Sequence, residues 1–189
     1  MAGFKVCLNY ILWRVGLWRV LPGAIINRVA VRECGEALVS YKGARLRVGV
    51  VERLKFAESR LPSGVEIKIL SGFRSLSEQQ KLWDSAPDRR LVANPANGGG
   101  GHQTGGAVDV TLCGADGREL DIGGKYLVFD ALTKTAAVQN ENRKLLCRVM
   151  ADAGFVNYPN EWWHFSYGDK MWAAYARKKY AIYGSGGLE

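Results

Sequence analysis

The sequence predicts a globular fold that mixes helices with strands, and three observations predict it. Apolar residues recur at spacings of three and four over residues 48–61; they alternate with charged residues over 65–69; and Ser75-Leu76-Ser77-Glu78 has the spacing of a helix-opening capping box. With 189 residues, 48% hydrophobic and 23% charged, the chain is long enough to bury a core and short enough for one domain over 1–189. Residues 1–46 read as an N-terminal extension packed on that domain.

Residues 6–20 are apolar and aromatic, but Asn9, Arg14 and Arg19 interrupt them, which predicts an amphipathic helix rather than a membrane span or a signal peptide. That helix breaks at Pro22-Gly23, and the mixed segments from 30 to 39 carry no readable chemistry. Val51, Leu54, Ala57 and Leu61 place one apolar face on a helix that starts near Val48 and that Pro62-Ser63-Gly64 ends. Val65, Ile67 and Ile69 then alternate with Glu66 and Lys68, as in a half-buried strand, and deliver Ser71-Gly72-Phe73-Arg74 at its end. Ser75 and Glu78 open the next helix, toward Trp83, and Asn94-Pro95 with the glycines 98–101 make a loop.

Gly105, Ala107 and Asp109 share one face of the following extended segment, so small side chains leave room beside a carboxylate. A glycine-containing turn lies between Asp121 and Asp130. Asn140 opens a helix with the stripe Leu145, Leu146, Val149 and Met150, and Gly154 stops it. Phe155-Val156 starts a strand, Tyr158-Pro159-Asn160 turns, residues 161–167 read as an aromatic-rich strand, and 171–183 as a terminal helix.

The formal charge of +8 favours anionic partners by long-range attraction. Its sources, Arg14, Arg19, Arg28, Arg32 and Arg177-Lys178-Lys179, are scattered and match no nucleic-acid motif, so no nucleic-acid partner is expected. Cys7, Cys34, Cys113 and Cys147 have no C-x-x-C spacing, which leaves a structural cysteine–zinc site and a redox pair without support. No membrane span is expected, and the location expected is cytoplasmic, with a periplasmic or secreted one as the alternative.

The chemistry concentrates on the two histidines. His102 follows the glycines 98–101, and His164 ends Glu161-Trp162-Trp163-His164. His102, Asp109 and His164 supply the three protein ligands of a catalytic zinc ion, which keeps a fourth position for water. Glu161 is then the candidate general base, taking a proton from water activated by zinc and handing it to a leaving amine. Arg74 stays protonated and suits the oxygen that gains charge in a tetrahedral intermediate. The plainer alternatives are two hydrogen-bonded histidines beside an exposed aspartate, a surface ion pair for Arg74, and a core role for Trp162-Trp163.

These motifs carry a resemblance. His102-Gln-Thr-Gly105-Gly-Ala107-Val-Asp109 and Glu161-Trp-Trp-His164 resemble the two signature motifs of the VanX-type zinc D-Ala-D-Ala dipeptidases, within the wider zinc D,D-peptidase superfamily. Further matches are Leu61-Pro-Ser-Gly64, Gly72-Phe73-Arg74 with Gln79, Leu120-Asp-Ile-Gly123 with Phe129-Asp130, and Asn142-Arg143, so that the resemblance spans residues 48–183. It implies an α+β fold with a mainly antiparallel central sheet flanked by helices. It also implies one zinc ion per chain in a cleft on the sheet, held by His102, Asp109 and His164, with Glu161 as base and Arg74 as transition-state arginine.

Ser71, Phe73, Gln79, Gly100, Trp162 and Trp163 are the substrate-pocket candidates. Three of them depart from the family pattern: Gly100 stands where serine is common, Ser71 where aspartate is, and Phe73 where tyrosine is usual. The expectation is hydrolysis of D-Ala-D-Ala or a related short D,D-peptide. The alternatives are a peptidoglycan D,D- or L,D-carboxypeptidase or endopeptidase acting on stem peptides, and a zinc-holding module that binds without cleaving.

Overall fold

Strand pairing through one central strand builds the sheet. The computed structural model describes residues 20–86, 88–97, 100–186 and 188, so the helix expected over 6–20 lies outside the described residues except for Val20. After a short helix α1 (Gly23–Asn27), the strands β1 (Leu38–Tyr41) and β2 (Ala44–Arg47) form an antiparallel hairpin. Its two-residue turn, Lys42-Gly43, has positive φ at both positions, the geometry that matches the twist of flanking strands. Lysine is an unusual occupant there, which is why the hairpin is not readable from composition.

Strand β2 runs straight into α2 (Val48–Glu58), which buries Val50, Val51, Leu54 and Ala57. The helix stops one turn before Leu61, and β3 (Val65–Ser71) follows as the alternation predicts. β3 pairs antiparallel with β4 (Ala107–Gly114), with a register shift after Ile69 that sets Ser71 opposite Asp109. The other edge of β4 pairs with β6 (His164–Ser166), and β6 with β5 (Val156–Asn157), giving the order β3-β4-β6-β5, antiparallel throughout. Because β4 has neighbours on both edges and packed faces, Ala107 to Cys113 are all buried. This is the expected antiparallel sheet flanked by helices.

Helix α3 (Leu76–Ser85) has the predicted capping box: the Glu78 amide donates to Ser75 Oγ at 3.2 Å and the Ser75 amide to Glu78 Oε2 at 2.7 Å. Helix α4 (Glu141–Asp152) is capped by Asn140 and packs Leu146, Val149 and Met150 into the core against α2 and the sheet. Each such aliphatic side chain contributes roughly 1.5–3 kcal/mol by its burial. Fully buried Arg143, in the first turn of α4, donates to the carbonyls of Ile122, Leu132 and Lys134 at 2.9–3.1 Å, and so fixes the loop that carries Tyr126 to Leu132.

Three expectations are corrected. The strand over 161–167 shrinks to His164–Ser166, because Glu161 to His164 close tight turns: the Glu161 amide donates to the Tyr158 carbonyl and the His164 amide to the Glu161 carbonyl. The helix over 171–183 is only α5 (Lys170–Tyr175), capped by Asp169. Arg177, at φ +52, turns the chain, and Ala181 then bridges Val31 in parallel while Tyr183 is fully buried with its hydroxyl on Glu36 Oε2 at 2.7 Å. Gly105 also lies in a left-handed turn at φ +68 before β4 rather than on its face.

Leu21, Ile26 and Val29 pack on a second apolar cluster built from Val156, Trp172, Ala173, Tyr175 and Ala181. Among the described residues no helix is long and apolar enough to cross a membrane.

Candidate metal centre and active site

Strand register brings the two motifs together. Asp109 in β4 stands directly opposite His164 in β6, and His102 sits in a 3-10 turn (Gly101–Thr104) just before β4. Gly101 has no room for a side chain: a Cβ there would fall 2.2 Å from Asp169 Oδ2 and 2.8 Å from Ala107 Cβ. That close packing holds His102 over the sheet.

Asp109 Oδ1 is 3.3 Å from His102 Nε2 and 3.0 Å from His164 Nδ1, and the two rings meet edge to face at 5.0 Å. Ligand atoms of the three residues lie within 4.8 Å of one another, a group that could hold a metal ion. The remaining ring nitrogens are occupied. His102 Nδ1 donates to the Gly72 carbonyl at 2.7 Å, which leaves Nε2 facing the centre. His164 Nε2 lies 3.4 Å from Ser166 Oγ, whose hydroxyl donates to buried Asp169 at 2.7 Å. Such outer partners fix the tautomer and orientation of a metal-ligating imidazole.

The electrostatics follow from this packing. Burial works against the charge on Asp109, but the two imidazoles outweigh it and hold its carboxyl well below the usual range. Burial also opposes the His164 imidazolium, yet the hydrogen bond and charge of Asp109, with Glu161, raise its pKa. Glu161 Oε2 is 4.0 Å from His164 Nδ1, and burial raises the Glu161 pKa.

Arg74 is held from behind. Its Nη1 donates to Gln79 Oε1 at 3.0 Å and its Nη2 to Ser71 Oγ at 3.1 Å, while its amide donates to the His102 carbonyl at 3.2 Å. Gln79 is 1% exposed; it also accepts from Gln103 Nε2 at 3.0 Å and donates to the Ala93 carbonyl at 2.7 Å. Gln103 Oε1 in turn accepts from the Gly100 amide. Ser71, Gln79 and Gly100 therefore belong to one polar network with Arg74.

The other pocket candidates divide. Phe73 lies under the Arg45 guanidinium, 5.0 Å from ring centroid to Cζ. Trp162 and Trp163 are each 1% exposed, so both are core residues rather than open walls. Trp162 packs against Arg143, whereas Trp163 backs the rings of Tyr126 and Phe129 at 5.5 and 5.6 Å. Sequence reading missed Tyr126, whose hydroxyl donates to Asp109 Oδ2 at 3.0 Å, and the Ser166–Asp169 pair behind His164. The sequence signal for the latter was Asp169 as a helix cap; Tyr126 gave none.

Comparison with known proteins gives the family of the chain. A family model described as D-ala-D-ala dipeptidase, of the M15 peptidases, matches residues 48–182. The chain belongs to this family. It is thus a peptidase, and the matched span runs from the first residue of α2 past the second histidine motif.

The chain is 27% identical over 185 residues to a D-alanyl-D-alanine dipeptidase of Synechocystis sp., an alignment that covers 87% of this chain and 72% of that protein. It is 32% identical over 111 residues to a D-alanyl-D-alanine dipeptidase of Escherichia coli, covering 54% and 55% respectively. A crystal structure of the vancomycin-resistance D,D-pentapeptidase VanY from a VanB-type cassette, in complex with Zn(II), aligns with a TM-score of 0.46 at 20% identity, over 86% of this chain and 91% of that one.

Proposed function

We propose that this M15 peptidase uses zinc to hydrolyse the bond between two D-alanines, or a related D,D-peptide bond, with His102, Asp109 and His164 as ligands, Glu161 as general base and Arg74 as transition-state cation. The observation that carries the reading is the convergence of His102 Nε2 and His164 Nδ1 on one oxygen of Asp109, with Glu161 at 4.0 Å from the same His164 nitrogen. Two imidazole nitrogens and one carboxylate oxygen, each braced from behind, are a donor set that fits catalytic zinc. Bound there, zinc lowers the pKa of water toward neutrality and polarises a carbonyl.

The protein's own groups divide the remaining work. Glu161 takes the proton of the attacking water and returns it to the leaving amine of the C-terminal D-residue; its raised pKa makes it a better base than an exposed glutamate. Arg74, pinned by Gln79 and Ser71, presents a fixed positive charge to the carbonyl oxygen as that oxygen becomes negative. Tyr126 holds the second oxygen of Asp109 and so keeps Oδ1 directed at the imidazoles.

The test is a product assay. Zinc-loaded protein is incubated with peptides ending in D-Ala-D-Ala and with L,D controls, and free D-Ala is quantified. D-Ala release that a chelator stops and zinc restores is expected; no release from any D,D-peptide contradicts the proposal.

A further inference from the structure

The excess positive charge is confined to two stretches that the fold brings together. Residues 1–32 and 170–188 hold nine of the 26 Lys and Arg and none of the 18 Asp and Glu, so the whole surplus of +8 resides in them. Far apart in sequence, their described parts are neighbours in space. Helix α1 packs on α5, the Arg32 amide donates to the Ala181 carbonyl at 2.8 Å, and the Ala181 amide donates to the Ala30 carbonyl at 2.8 Å. The Lys170 ammonium donates to the Asn27 carbonyl at 3.1 Å, and the Arg32 guanidinium lies over the Tyr180 ring at 4.6 Å.

This packing sorts the side chains. Leu21, Ile26 and Val29 turn inward onto the cluster of Trp172, Ala173 and Tyr175, while Val20, Ile25 and Val31 are left exposed by 42%, 50% and 39%. Arg28, Arg32, Arg177, Lys178 and Lys179 are exposed on the same two segments. Among the described residues, no carboxylate forms an ion pair with any of these five or with Lys170. Glu33, the first acidic residue in the sequence, is engaged by Arg47 Nη2 at 3.2 Å and by the Gly184 amide at 2.6 Å. Asp169, at the start of α5, is buried and accepts from Ser166 and the Trp172 amide.

Exposed aliphatic side chains beside unpaired cations suit one class of partner. A nucleic acid stacks its bases on open aromatic faces. Here Tyr180 lies beneath Arg32, and Trp172 is 9% exposed with Lys178 against its ring. An anionic lipid surface instead takes Lys and Arg at its headgroups and aliphatic groups at the acyl boundary. The chain enters this face at Val20, directly after residues 1–19, in which Lys5, Arg14 and Arg19 are interspersed with Tyr10, Trp13 and Trp18, residue types that favour the same interface.

We infer that the surface formed by residues 20–32 and 170–180 docks the protein on an anionic lipid bilayer, lying on it rather than crossing it. The basic side chains meet the headgroup phosphates, and Val20, Ile25 and Val31 enter the boundary beneath them. Each basic residue near such a surface strengthens partition by roughly fivefold, and added salt weakens it.

The experiment sediments the full chain with vesicles of phosphatidylglycerol mixed with phosphatidylcholine and with vesicles of phosphatidylcholine alone, and titrates it separately with single-stranded RNA. It uses no peptide substrate, so its outcome is independent of the D,D-peptidase reading. Binding to the anionic vesicles alone, weakened by salt, is expected. Arg177→Gln combined with Lys178→Gln and Lys179→Gln is expected to weaken that binding at least about tenfold, and Val20→Ser combined with Ile25→Ser at least about threefold. Both variants, changed only at exposed positions, should keep the wild-type circular dichroism and melting temperature. Undiminished vesicle binding by either folded variant, equal binding to neutral vesicles, no vesicle binding, or binding to RNA in place of vesicles overturns the inference.

Discussion

The Tyr126 hydroxyl donates to Asp109 Oδ2 at 3.0 Å, while the other oxygen of the same carboxylate faces His102 and His164. One side chain thus decides which oxygen of Asp109 looks into the centre. Asp109 lowers the acidity of that hydroxyl, whose pKa is raised by burial first and by the neighbouring carboxylate second. The phenol therefore remains a donor throughout the physiological range.

Tyr126→Phe removes this bond and keeps the ring packed on Trp163. Zinc affinity, measured by competition with a chromogenic chelator, is expected to fall about tenfold or more, the usual consequence of losing an outer partner of a ligand. An unchanged affinity would show that Asp109 needs no help from Tyr126.

Gln79 is the hub behind Arg74, bonded at once to the guanidinium, to Gln103 and to the Ala93 carbonyl. Gln79→Leu keeps the volume but releases Arg74 from its position. Turnover is expected to drop by about one to two orders of magnitude, because displacement of a catalytic group by an ångström costs on that scale. Metal content should stay at one per chain. Steady-state kinetics with metal analysis on the same sample check both, and full activity would mean that Ser71 alone positions Arg74.

Metal binding should depend on pH through His164. Its folded pKa is raised above 6.5, so its contribution to the stability of the metal-free protein is present below that pH and is lost as pH rises through the higher folded value. The depressed Asp109 acts in the opposite sense: its contribution is present above its ordinary 3.8 and is lost as pH falls toward its folded value. Zinc must displace the His164 proton. Its apparent affinity is therefore expected to keep rising with pH above 6.5, in the window where the metal-free protein loses thermal stability. Titrations of affinity and of melting temperature at matched pH test this, and a flat affinity from pH 6 to 8 would contradict it.

Much of the scaffold was legible because local signals and packing agree. The alternation over 65–69, the Ser75–Glu78 box and the Asn140 cap name β3, α3 and α4 nearly to the residue. Reading failed where long-range contacts overrule local pattern. Residues 161–163, with their paired tryptophans, look like strand, yet Glu161 is placed by turns that tie it to Tyr158, and the two tryptophans are drawn into the core. Residues 176–183 look helical, but burying Tyr183 requires the chain to turn at Arg177.

At the candidate site, the histidines, Asp109, Glu161 and Arg74 could be named from residue type and spacing. Tyr126 could not, because its approach to Asp109 depends on a loop fixed by Arg143 from another helix. The Ser166–Asp169 brace was hidden for the same reason, since a helix cap and a strand serine reveal their shared partner only after folding.

The division of labour between holding the metal and moving the proton is the centre of this account, and one paired measurement tests it. Zinc content and D-Ala release are measured on Glu161→Gln and His164→Ala beside the wild type, with a D-Ala-D-Ala-terminated peptide. The account predicts that Glu161→Gln keeps one zinc per chain and loses turnover by about 100- to 10,000-fold, whereas His164→Ala loses the metal itself. Substantial turnover in zinc-loaded Glu161→Gln would contradict it.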